Sequence, residues 1–571
     1  MKRCPECLRD YTDETLTYCL DDGSVLLDGP GSGLVAEPKT AILHDTDVPA
    51  EAATRAQFGT TGGAPFLPTS HDETRNMKGL DKRLLLATVA LVVIVLGAFF
   101  AYRYVTQARQ IESIAVMPFV NESGDAEVEY LSDGMTESLI KSLSQLPNLN
   151  VKGSSTVFRY KGKNTDTKTV GQELNVQAVL YGRVIPRGDQ LTLSLELLDA
   201  ETENVIWNDR YERKQGDLVT LQVEIARDVS SKLRSKLSGA DEAKVTKNYT
   251  ANPEAYQLYL KGRFYWNQRT PESFRRAVEL FDQAIEKDPA YALAYSGLAE
   301  SYVLFSNYEV DAPKDSMPKA KAAALRAIEL DDSLAESHTA LGMYYSKFAW
   351  DMDAAEREFR RAIELNPNYA SAYQQLAVEA LTPTRRFDEA VAAGKRAEEI
   401  DPLSPVISSD VGNILTRARR FDEAIKQLQK AVSQNPNFAV GWSNLGTAYH
   451  SNGNFEEAVA AYRKALALDE RPFTKASLIQ PLVRSGHRDE AVKLLAEIEA
   501  ASSRVVVAPA ALALAHGALG DKDKAFAMLE REVAERGGRA PSFAVHPMWD
   551  DLRDDPRFDA LIRKVEQSKL D

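Results

Sequence analysis

Between residues 252 and 535 the chain repeats itself, and the period of that repetition restricts its fold more than any other feature. The phrases EKDP, ELDD, ELNP, EIDP, SQNP and ALDE end at positions 289, 332, 367, 402, 436 and 470. After the first step, which includes the insert EVDAPKDSMPK, successive spacings are 35, 35, 34 and 34. A period of this length holds two helices and their turns. One such pair cannot bury its own apolar face, so neighbouring pairs must stack. The unit AVGWSNLGTAYHSNGNFEEAVAAYRKALALDE shows how. Trp442, Leu445, Gly446 and Tyr449 fall on a first helix, Gly453 makes the turn, and Ala458, Tyr462 and Ala465 fall on a second. Small residues stand where the two helices approach closely, and large ones fill what remains. Tyr295, Leu298, Ala299 and Tyr302; Leu341, Gly342 and Tyr345; Tyr373, Leu376 and Ala377; and Val411, Gly412 and Leu415 repeat the arrangement.

In period and in these residues the region resembles the tetratricopeptide repeat family. The resemblance implies an all-α solenoid over 252–535, with weaker helix pairs at 254–288 and 473–533. HPMWDDLRDDPRFDALIRKV reads as part of a terminal cap over 536–571, with Trp549, Leu552, Phe558 and Leu561 as its buried face. One helix of each pair lines a concave groove that binds protein or peptide partners. In this register the groove is offered by Val406, Ser409, Asn413, Thr416 and Arg417, then by Val440, Ser443, Thr447, His450 and Ser451. These do not match the paired Lys/Asn/Arg set by which chaperone-binding repeats clamp a C-terminal carboxylate, so that partner class is disfavoured.

A compact α/β region is expected over 110–237. SIAVMPF (113–119) is an apolar run ending at a proline, which reads as a strand, and residues 129–147 place Leu131, Met135, Leu139, Leu143 and Leu146 at helical spacing up to Pro147. TVGQELNV reads as a short helix. Strands follow at 178–185, 191–199 and 204–212, joined by RGDQ and AETE as antiparallel hairpins, and a helix at 216–235 closes the region. IAVMPFVNESGD, YLSDGMTESLIKSL, VLYGRV and LTLSLELLDAETENVIW resemble the amino-terminal domain of TolB and the FlgO family. That resemblance implies a non-catalytic, envelope-side module.

All three cysteines lie within the first nineteen positions. Cys4 and Cys7 form a CxxC knuckle, and Cys19 and Asp22 stand in the register of a second. A tight turn brings two such thiolates to about 2.3 Å from one zinc ion. CPEC and YCLDDG resemble a short bacterial zinc ribbon over 1–25, which implies one structural zinc on Cys4, Cys7, Cys19 and Asp22; the departure from four cysteines leaves the fourth ligand open. Residues 26–82 read as a flexible linker. LLLATVALVVIVLGAFFAY (84–102) carries no charge and has the length of a bilayer crossing, so a transmembrane helix is expected over 83–104. Arg75, Lys78, Lys82 and Arg83 before it, against Arg103 and Arg109 after it, favour a cytoplasmic N-terminus and extracytoplasmic repeats in a bacterial cell membrane.

A formal charge of −14 argues against nucleic acid as a partner. Seven histidines are scattered without an i, i+4 pair, and no HExxH, G-x-S-x-G, kinase or P-loop signature occurs, so the chain does not read as an enzyme. His338 reads as a packed residue. The expected protein is a multidomain, membrane-anchored scaffold that binds partners through its repeats. The alternative is a transmembrane signal transducer that couples outside binding to the zinc head.

Overall fold

The structure is a computed structural model and describes residues 2–3, 10–11, 27–28, 111–125, 128–233, 238–308, 310–502 and 507–570. The chain divides into two compact units, Met1–Ile94 and Val95–Asp571. In the first, β1 (Lys2–Arg3) pairs antiparallel with both β2 (Asp10–Tyr11) and β3 (Leu27–Asp28). Cys4, Cys7, Cys19 and Asp22 lie outside the described residues.

The second unit opens with a mixed sheet. β4 (Ser113–Val116) leads through β5 (Val120–Asn121) and α1 (Glu129–Ser144) to β6 (Asn150–Val151). Then come α2 (Ser154–Val157), α3 (Thr167–Leu174), β7 (Ala178–Arg187), β8 (Gln190–Asp199), β9 (Val205–Lys214) and α4 (Leu218–Leu233). The strand order is β6-β4-β7-β8-β9, with β5 also on β7. β4 runs parallel to β6 and β7, because a helix-length crossover separates each pair. β7, β8 and β9 form an antiparallel meander joined by short turns. Gly188, at φ +65°, serves the first turn. In the second, the Asp199 carboxylate accepts from the backbone N–H groups of Glu201 and Thr202. Leu191, Leu193, Leu195 and Leu197 alternate into the core, as a half-buried strand requires. The three antiparallel strands and both long helices follow the sequence pattern. β5, β6 and α2 are too short to show one.

After α5 (Gly239–Val245) come eight helix pairs among the described residues. They are α6 (Pro253–Asn267) and α7 (Pro271–Lys287); α8 (Ala292–Asn307) and α9 (Pro313–Leu330); α10 (Ala335–Tyr344) and α11 (Met352–Leu365); α12 (Ala370–Gln375) and α13 (Phe387–Ile400). There follow α14 (Pro405–Arg417) and α15 (Phe421–Gln434); α16 (Ala439–Ser451) and α17 (Phe455–Leu468); α18 (Pro472–Arg484) and α19 (Arg488–Ala501); α20 (Pro509–Leu519) and α21 (Lys522–Ala534). α10 and α12 are prolonged by π-helical turns at Tyr345–Ala349 and Leu376–Leu381. The close approach of paired helices follows from their small residues. A Cβ placed on Gly446 would lie 2.9 Å from Cγ of Tyr462, so only glycine lets that ring pack there. The chain closes with α22 (Asp550–Arg553) and α23 (Pro556–Gln567), where Trp549, Leu552, Phe558 and Leu561 are all buried.

The expectation of a single-pass cell-membrane protein is overturned. Among the described residues no helix is long and apolar enough to cross a membrane. The second helix of each repeat buries one flank in the stack and keeps charge on the other. Pro313–Leu330, one of the longest, carries Lys314, Asp315, Lys319, Lys321, Arg326 and Glu329. Residues 84–102 lie outside the described residues.

Candidate functional site

The recurring junction phrases do more than end helices. Each presents an Asp or Asn side chain, and in five successive junctions that side chain is bonded by the preceding part of the chain. Thr250 Oγ1 donates to Asp288 at 2.5 Å, and Lys247 Nζ to Asp331 at 2.6 Å. Asn366 Nδ2 donates to Ser144 Oγ at 2.9 Å, Ser155 Oγ donates to Asp401, and Arg159 Nη1 donates to Asn435. The backbone takes part too: Gly153 N–H donates to the Ile400 carbonyl and Leu403 N–H to Thr156 Oγ1. A Cβ on Gly153 would sit 2.6 Å from the Asp401 carboxyl carbon, so the approach needs glycine. The α/β region is thereby fastened along the solenoid.

α1 runs into the mouth of the concave face. Glu137 accepts from Arg263 and from Asn267 Nδ2 (3.0 Å), and Arg263 also reaches Glu300 at 2.7 Å. Burial opposes the charge of Arg263, but Glu137 and Glu300 outweigh it and hold the guanidinium firmly protonated. Lys141 pairs with Glu336 at 2.8 Å in the same way. From the other end, the C-terminal segment returns across the stack. Arg536 donates to the Phe348 carbonyl at 3.0 Å, Leu570 N–H to the Ala349 carbonyl at 2.9 Å, Gln480 to the Met548 carbonyl at 2.9 Å, and Arg419 pairs with Asp550.

Between these two closures lies a lumen of about 1820 Å³, walled by α1, by the first helices of the repeats and by residues 537–542. Its wall is polar at several depths. Lys347 pairs with Glu379 at 2.9 Å, and Gln374 donates to Asp410 at 2.7 Å. Burial pushes the Asp410 carboxyl up to about 6, against the Gln374 bond that lowers it. Arg417 has a buried Nε without an acceptor, and burial lowers its basicity.

Of the residues assigned to the groove, Val406, Asn413, Arg417 and Val440 line this lumen. Ser409 is buried and accepts from Asn444 Nδ2 at 2.9 Å. Thr416, Thr447 and Ser451 donate to carbonyls one turn back, those of Gly412, Ser443 and Thr447. Thr447 also shares a hydrogen bond with the Tyr462 hydroxyl. His450 packs on Phe455, ring centroids 5.5 Å apart, and feels the charges of Asp551, Arg484 and Asp550. Ser443, Thr447, His450 and Ser451 therefore stand apart from the lumen wall. Lys347, Glu379, Asp410 and Arg539 were not assigned and do line it. A signal existed for one of them: Lys347 stands five residues after Gly342, as Arg417 stands five after Gly412.

His338 is buried and bonded to Glu358 at 2.7 Å. Among the described residues no group of three or more His, Cys, Asp or Glu could hold a metal ion.

The fold and this wall define the class: the chain carries tetratricopeptide repeats, the architecture of protein-binding scaffolds, joined to an α/β region with a mixed sheet. Tetratricopeptide models match residues 259–314, 335–369, 412–453 and 439–472. The model matching residues 109–228 is that of the HilA/YgeH-like transcriptional regulator, second domain; the TolB/FlgO resemblance is not shown. A Rhizobium meliloti protein named "Putative adenylate cyclase 3" is 33% identical over 235 residues, 41% of this chain and 40% of the relative. Transcriptional regulator HilA of Salmonella typhimurium is 20% identical over 232 residues, 40% of each chain. This chain thus spans about 40% of the length of the curated relatives it matches. A solved structure titled for Pseudomonas aeruginosa pilF is 16% identical, covering 37% of this chain and 95% of its own, with a TM-score of 0.29.

Proposed function

We propose that the chain is a non-enzymatic, partner-binding scaffold whose partner is a polypeptide held in the lumen between the α/β region and the repeats. The observation that carries this reading is the lumen wall itself, where buried polar groups on successive first helices stand at one open volume. Val406, Asn413, Arg417 and Val440 are the groove residues that would touch the partner. The two relatives carry different names, and this chain spans about 40% of each, so neither name is carried over to it. The zinc ribbon belongs to the same proposal. The pairing of Lys2–Arg3 with Asp10–Tyr11, on either side of Cys4 and Cys7 in sequence, supports it.

A photoreactive cross-linker tests the reading. Placed at Val378 or Val440 in the lumen, it should give one partner adduct; placed at Lys430, exposed on α15, it should give none. Adducts from Lys430 alone would contradict the reading.

A further inference from the structure

Arg417 makes an unmet demand on the lumen. Its Nε is buried without an acceptor, and among the described residues no carboxylate stands within ion-pair distance of it. The nearby carboxylates are engaged, Glu379 by Lys347 and Asp410 by Gln374. Arg539, from the turn after α21, also lines the lumen and has no carboxylate at ion-pair distance among the described residues. Its guanidinium lies over the Phe473 ring, 4.1 Å from the centroid.

Both cations line the lumen, and both act on one buried group. The buried His546 imidazole is held neutral first by burial, then by the charges of Arg417, Arg553, Arg419 and Arg539. Arg419 and Arg553 are both committed to Asp550, whereas Arg417 has no bonded acceptor at its Nε and Arg539 acts on the buried Glu532 carboxyl without a close ion pair. A buried guanidinium without an acceptor is unfavourable, and its planar fork matches a carboxylate through two parallel hydrogen bonds.

We propose that Arg417, Arg539 and the Asn413 amide form a carboxylate-binding site that takes an acidic side chain of the polypeptide in the lumen. The proposal rests on the partner-binding reading and names its chemistry. Glu379 and Asp410 both act on the Arg417 charge, so a singly charged carboxylate is tolerated where a phosphate dianion meets more repulsion. The site differs from a chaperone-type clamp because half of its charge comes from outside the repeats.

Calorimetric titration of the full chain decides the matter, using an N-acetylated, C-amidated (Gly-Glu)5 peptide, its (Gly-Lys)5 counterpart and free glutarate. The acidic peptide should bind, the basic one should not, and Arg417→Gln should weaken binding at least about tenfold, as loss of a central charged contact does. Arg417→Lys, which keeps the charge and loses the fork, should fall between. Arg420→Gln, at the exposed Arg420–Glu423 pair, should change nothing. Equal thermal midpoints would show that the variants are folded. Glutarate binding without peptide binding, abolished in Arg417→Gln, would support the carboxylate site and remove the polypeptide reading. Acidic-peptide binding unchanged by Arg417→Gln, equal binding of the basic peptide, or no binding of any probe would overturn the site.

Discussion

Asn366 and Ser144 lie 222 residues apart in sequence, yet the Asn366 amide donates to the Ser144 hydroxyl at 2.9 Å, and both residues are buried. Asn368 adds two bonds beside it, to the carbonyls of Ser144 (3.1 Å) and Leu149 (2.8 Å). A repeat junction therefore holds the α1–β6 connection through three hydrogen bonds. An Asp or Asn recurs at each junction, so a solenoid's periodicity has become a row of anchors for a different fold.

Replacing Asn366 with alanine should cost about 1–3 kcal/mol, because a buried hydroxyl is left without its donor. Asn452→Ala, at an exposed turn, should stay within about 0.5 kcal/mol. Urea unfolding of the two variants measures the difference. Equal midpoints would mean that the junction does not hold α1.

Gly446→Leu should destabilise by about 1–3 kcal/mol, since its first carbon alone would meet the Tyr462 ring at 2.9 Å. Adding Tyr462→Ala should recover part of that loss by opening the space. A double-mutant cycle on thermal unfolding reads the coupling, and strict additivity would contradict the contact.

Burial depresses the His450 imidazole from 6.5 to about 4, with the charges of Asp551, Arg484 and Asp550 adding smaller effects of either sign. The folded chain keeps this ring neutral where the unfolded chain already binds a proton. Stability is thus lost as pH falls from about 6.5 towards 4. His450→Gln should remove that contribution, so wild type should lose more stability than the variant between pH 7 and pH 5. Parallel pH profiles would show a ring open to solvent.

The full chain should contain about one equivalent of zinc after purification under reducing conditions, and Cys7→Ser should lose it. Metal content near zero in the wild type would remove the ribbon.

Much of the architecture was legible because it follows from repetition and alternation. The 34-residue period placed the helix pairs, and Leu191, Leu193, Leu195 and Leu197 placed β8. What escaped was everything set by contacts between distant segments. Asp401 and Asn435 read as helix punctuation, since nothing in a single repeat shows that Ser155 and Arg159 will bond them. His450 stands at an inward register position and reads as a free groove residue. It is partly covered because α16 and the residues before α22 meet there, which no local pattern encodes. Lys347, Glu379 and Asp410 became lumen groups only once α1 and residues 537–542 closed the space around them.

Hydrogen exchange of the full chain, with and without bound partner, tests the central claim most directly. A polypeptide in the lumen should slow exchange in α8, α12 and α14 at their lumen-facing turns, around Glu300, Gln374 and Asn413. The second helices α11, α13 and α15 should exchange as before. Protection confined to those second helices, with α8, α12 and α14 unchanged, would contradict the account.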